Sequence, residues 1–164
     1  MDPNFHALQL IAEIALGILG FSAILIGLSR KSDGFSAPDN FRIQLLTYSA
    51  IGAMFCALIP FAVFGKNNET SWLIVNWILC LYSVLGIFIF PKRVINLRML
   101  GYSDLFPLPL VIIQMGMLVV NFSIAGLMIL DFIKAKENFY VICLMFFLIQ
   151  SSIAFIRTIF YRAQ

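Results

Sequence analysis

DLFPLPLVIIQMGMLVVNFSIAGLMILD, residues 104–131, carries no charge between its two terminal aspartates. Read as a helix, it exceeds the ~20 apolar residues that cross the ~30 Å hydrocarbon core of a bilayer. Four more stretches share this character. Arg42 to Lys66, Glu69 to Lys92 and Glu137 to Arg157 enclose three of them, and Pro3 to Ser29 holds the fourth, interrupted only by Glu13.

The chain of 164 residues is 62% hydrophobic and 12% charged, about half the ~25% charge of a soluble domain. A backbone in lipid must satisfy its own polar groups, which favours helices. The sequence therefore predicts an all-α fold: a polytopic integral membrane protein, one five-transmembrane-helix bundle over 1–164, with short loops. Spans are expected near 5–28, 43–64, 72–91, 106–130 and 139–160. No basic n-region precedes the first of them, so it reads as a retained helix rather than a cleaved signal.

Loop charge orients the bundle. Arg30, Lys31, Arg42, Lys92, Arg93, Arg98, Arg157 and Arg162 fall on one side, against Lys66, Lys134 and Lys136 on the other. Basic residues in short loops stay cytoplasmic, so the N-terminus is expected outside and the C-terminus in the cytoplasm. Asp2-Pro3, Thr70 or Ser71, and Asn138 are the expected helix caps, with Pro107 and Pro109 in the first turn of the fourth helix. Trp72, Phe139 and Tyr140 are expected in an outer aromatic belt, and Phe41, Tyr102 and Tyr161 in an inner one. Lys92–Leu100 alternates basic and apolar residues, as a short helix lying on the inner leaflet would. No repeat in the range of roughly 20 to 50 residues stands out.

Polar residues inside the spans are the candidate site. Glu13 lies well inside the first, where a charged side chain costs about 2.5–3.5 kcal/mol at the helix centre. Protonation, hydrogen bonding, a cation or a water-filled pocket has to compensate. Gly17, Gly20 and Gly27 share its face, and small residues there let another helix come close. Ser49, Ala53, Cys56 and Pro60 form a matching stripe on the second helix, so the two helices are expected to pack antiparallel through these stripes. Pro60 lacks an N–H and frees a carbonyl one turn earlier, around Cys56. Asn76, Asn121 and Gln150 should leave lipid and converge with Glu13 on the bundle interior.

Enzyme constellations are missing. His6 is the one histidine, no H-E-x-x-H or G-x-S-x-G occurs, and Cys56, Cys80 and Cys143 form no C-x-x-C pair. No enzyme activity, metal or cofactor is expected, and a net charge of +3 spread over several loops does not suit nucleic acid. The expected partners are the lipid bilayer and either further copies of the chain or a larger membrane complex. The reading is a structural or accessory subunit of the plasma membrane, of bacterial inner-membrane type, acting by helix–helix association. The alternative is a small proton or cation channel or carrier that uses Glu13.

Overall fold

A computed structural model of the chain describes residues 3–29, 35–65 and 68–160. Within them the fold is all-α: α1 (Phe5–Ser29), α2 (Ala37–Val63), α3 (Asn68–Leu97), α4 (Leu108–Ile129) and α5 (Lys136–Phe160). Five helices are long and apolar enough to cross a membrane. Consecutive helices run antiparallel. Phe5 at the start of α1 packs on Phe61 and Phe64 around the end of α2, and Phe64 packs on Trp72 at the start of α3. At the opposite end, Phe41 meets both Phe90 and Phe106.

α2 sits at the centre, against α1, α3 and α5, and α4 closes the bundle on α3 and α5. Leu8, Ala15, Leu45, Ala53, Val75, Leu79, Leu118, Cys143 and Phe147 fill the core. Leu16, Phe21, Phe88 and Ile112 are exposed on the outside. A helix that is apolar all round suits surroundings as apolar as its own interior.

Helix ends differ from expectation in instructive ways. Asn4 caps α1, its side-chain oxygen accepting the Ala7 N–H at 3.1 Å; Asp2 lies outside the described residues. α2 begins at Ala37, well before 43, because Ser36 caps it and Pro38 and Asp39 occupy its first turn. The charges at Asp39 and Arg42 belong to the helix and pair at 3.3 Å across one turn. α3 begins at Asn68, so Thr70 and Ser71 are helical, and the Ser71 hydroxyl donates to the Val63 carbonyl of α2 at 3.0 Å. α5 begins at Lys136, which puts Asn138 inside it. Pro107 and Leu108-Pro109 do open α4.

Lys92–Leu97 is not a separate surface helix. α3 continues through Pro91 to Leu97 with Val94 and Leu97 buried, then passes into a wider π-type turn, Arg98–Tyr102, kinked inside at Gly101 with φ 94°. Glycine takes that left-handed conformation without steric cost. α4 ends by a different device. The Phe132 N–H reaches the Leu127 carbonyl at 3.0 Å, the Asp131 N–H reaches Met128 at 3.3 Å, and Asp131 has φ 60°. This is a Schellman closure with aspartate where glycine is usual. Lys136 and Lys134 hydrogen-bond the Asp131 carboxylate, at 2.8 and 3.0 Å, and hold it below the ordinary carboxylate range.

Three residues expected in aromatic belts are core residues instead. Trp72, Tyr140 and Phe41 are 5%, 1% and 4% exposed, because each edges against another ring in the bundle. Tyr161 lies outside the described residues.

α2 and α3 are joined by one phrase used twice. Tyr48-Ser49-x-x-Gly52 and Tyr82-Ser83-x-x-Gly86 face each other around a local two-fold axis. The tyrosine rings stack at 4.4 Å and 17°. Tyr82 donates its hydroxyl to the Tyr48 carbonyl at 2.7 Å, and Tyr48 donates to the Tyr82 carbonyl. A Cβ on Gly52 would enter the Tyr82 ring, and one on Gly86 would lie 3.1 Å from the Tyr48 ring. Each ring thus lies over the glycine one turn beyond the other tyrosine.

Candidate functional site

The polar residues of the spans separate into two groups that do not meet. Glu13 is exposed, on the side of α1 away from the bundle, where it accepts a hydrogen bond from the Gln9 amide at 2.9 Å. This corrects the expectation that Glu13 joins an interior cluster. The glycines are corrected with it: a Cβ on Gly17, Gly20 or Gly27 would have nothing within 4 Å. α1 does pack on α2, but through Leu8, Ile11, Ala12 and Ala15. The reason is geometric. At about 100° per residue, Leu8, Ile11 and Ala15 lie roughly opposite Glu13 with Ala12 on the flank between, and an apolar stripe enters a core without the desolvation that a carboxyl would suffer.

The matching stripe of α2 is inside. Ser49, Ala53, Cys56 and Pro60 are all buried. The carbonyl that Pro60 leaves without its helical N–H is that of Cys56, and the Tyr140 hydroxyl of α5 donates to it at 2.6 Å. A break in the helix ladder has become a tie between α2 and α5.

Asn76, Asn121 and Gln150 are buried, at 0%, 1% and 0% exposure. Asn121 donates to the Cys143 carbonyl at 3.1 Å and Gln150 to the Gln114 carbonyl at 3.3 Å. Two side-chain amides, two turns apart along the α4–α5 contact, thereby stitch those helices. Asn76 is different. Neither of its amide atoms has a hydrogen-bond partner among the described residues, nor does the Ser49 hydroxyl. Such orphans cost about 1–3 kcal/mol each. Among the described residues no hydrogen bond links any two of Glu13, Asn76, Asn121 and Gln150, and no three His, Cys, Asp or Glu come together as metal ligands.

At the basic end, the Phe106 ring meets two guanidiniums. Arg42 of α2 lies 5.5 Å from its ring centre and Arg157 of α5 lies 5.6 Å away. Arg98 donates to the Phe106 carbonyl and Arg157 to that of Leu105. Arg157 is therefore folded onto the α3–α4 connection instead of reaching along the helix axis into the interface. This cluster went unseen in the sequence because its members are scattered along the chain. The available hint was an aromatic residue just before the first turn of α4, two positions after Asp104.

Comparison with protein-family models, with curated proteins and with solved structures finds no match for this chain.

Proposed function

We propose that the chain is a small accessory subunit of the plasma membrane, of bacterial inner-membrane type, that acts through helix–helix association and offers the outer face of α1 to its partner. N-out, C-in insertion is part of this reading, supported by the basic asymmetry of the loops. The observation that carries the association is the position of Glu13. A carboxyl at this depth on the outer surface would face hydrocarbon in a lone chain, at a cost of kilocalories, while a covering helix would remove that contact. Gly17, Gly20 and Gly27, with open space at each Cβ, let such a helix approach closely.

The partner we assign is a second copy. Copies inserted in the same sense present α1 to α1 in parallel. The Gln9 amide and a carboxyl in its acid form each donate and accept, so each can be satisfied by its own image across a two-fold axis, the commonest oligomer symmetry. The test is a photo-crosslinking residue placed at position 20 in native membranes. An adduct of twice the chain mass, weakened when Gln9→Leu and Glu13→Leu are combined, is the expected result. An adduct with a different chain refutes the second copy but keeps the subunit reading. No adduct from a chain that stays monomeric in the membrane overturns both.

A further inference from the structure

Beside the Phe106 cluster lies a cavity of about 340 Å³ between the first turn of α4 and the last turns of α5, lined among others by Arg42, Asp104, Leu110, Ile153, Ile156 and Arg157. That volume is at the small end of the roughly 300–1,000 Å³ of ligand sites. Its walls are of two kinds. Two guanidiniums stand at one side, 5.5 and 5.6 Å from the Phe106 ring centre. Leu110, Ile153 and Ile156 form the other, and Ile156 is 50% exposed on the outer surface of α5, so the apolar wall runs out to where lipid chains lie. The N-terminal end of the 22-residue α4 adds the positive end of its dipole. Against these charges stands Asp104 at the rim, and Asp39 beside Arg42.

A positive, apolar-walled crevice between helices at the basic end of the bundle fits a particular ligand chemistry. We infer that it takes an anionic membrane amphiphile, with the phosphate or carboxylate of the headgroup at Arg157, the buried and Asp39-paired Arg42 behind it, and the first acyl carbons along Leu110, Ile153 and Ile156. The guanidinium fork matches such oxygens in a bidentate manner, and basic pockets between helices on the cytoplasmic side are a recognised means of holding anionic headgroups. The site is independent of the α1 face, since α1 contributes no residue to it.

The experiment uses the purified full chain in detergent and reads the thermal unfolding midpoint, which rises because bound ligand adds RT ln(1 + [L]/Kd) to the stability. Three probes are titrated: a short-chain phosphatidylglycerol, the phosphatidylcholine of equal chain length, and inorganic phosphate. The expected result is a rise that grows with the logarithm of concentration above Kd, with phosphatidylglycerol alone. Equal shifts from both lipids refute a charged site, and an equal shift from phosphate alone refutes the lipid. Arg157→Gln should weaken the apparent affinity at least tenfold. Because that change also removes the bond to Leu105, Ile156→Glu provides a second arm. It sets a negative charge at a half-exposed position on the cavity wall, and should weaken phosphatidylglycerol by a similar factor while the ligand-free midpoint stays near wild type. Wild-type affinity in Ile156→Glu overturns the proposal.

Discussion

Tyr140 of α5 donates its hydroxyl at 2.6 Å to the Cys56 carbonyl of α2, the acceptor that Pro60 deprives of its usual helical partner. The bond spans 84 positions of sequence and binds two central helices at a weak point of one of them. Its worth is conditional on the proline, which makes it separable by experiment.

Tyr140→Phe should destabilise the bundle by about 1–2 kcal/mol, because a buried carbonyl loses its partner. In a Pro60→Ala background the residue at 60 regains an N–H that can reach the Cys56 carbonyl, and the same change should cost less than half as much. Unfolding of the four proteins in detergent gives the coupling. Equal costs in both backgrounds would mean that the hydroxyl is not serving the orphan carbonyl.

Alanine at three glycines should rank them. Gly52→Ala meets the Tyr82 ring, and overpacking of this kind costs about 1–3 kcal/mol. Gly86→Ala needs Tyr48 to yield by only a few tenths of an ångström and should cost less. Gly20→Ala has open space and should be neutral or favourable for folding of the single chain, since alanine gains up to about 1 kcal/mol of helix propensity. Thermal midpoints that fail to fall in the order Gly20, Gly86, Gly52 would contradict the close approach between α2 and α3.

The interior amides should behave differently from one another. Asn76→Leu replaces two orphaned polar atoms by methyls on the same branched skeleton and should raise stability. Asn121→Leu removes the bond to the Cys143 carbonyl and should lower it by about 0.6 kcal/mol, the average for hydrogen bonds of this kind in membranes. Glu13→Leu combined with Asn121→Leu should be additive within about 0.5 kcal/mol, as expected for residues without shared partners. A larger coupling would bring back a common cluster for Glu13 and Asn121.

Insertion sense is open to direct measurement, because Cys56, Cys80 and Cys143 are all buried and leave little background. A cysteine at position 138 should react with an impermeant thiol reagent from outside intact cells, and one at position 99 only after lysis. The reverse pattern would turn the bundle over.

Much of the architecture was legible because long uncharged runs leave a chain few alternatives in water. The free carbonyl near Cys56 could be deduced from Pro60 alone, since the missing N–H is a local fact. Its partner Tyr140 could not, because nothing in sequence brings position 140 beside position 56. Glu13 exposes a different limit. Spacing correctly put Glu13, Gly17, Gly20 and Gly27 on one side of α1, but not which way that side turns. In water the apolar side turns inward. In lipid Leu8, Ile11, Ala12 and Ala15 would be as comfortable outside as inside, so only packing against α2 and α5 decides. The early start of α2 was hidden by Asp39 and Arg42, charges that look like loop and in fact pair along the first turns of the helix. The Tyr-Ser-x-x-Gly phrase was missed because five residues are too few to register as a repeat until their carbonyls and hydroxyls are seen to cross.

That repeated phrase also limits how copies of the chain could exchange parts. The lock forms only between antiparallel helices, and two chains inserted in the same sense present their α2 helices in parallel, so α2 cannot take its own image as a substitute for α3. The one intermolecular version open to it pairs α2 of one molecule with α3 of another, by unfolding the hairpin across Gly65 and closing it on a neighbour. Such a dimer would repeat every bond of the monomer and gain none at the lock itself. Swapping would then be governed by the length of the connection and by protein density in the membrane, and an insertion after Gly65 is the change to which its frequency should be least indifferent.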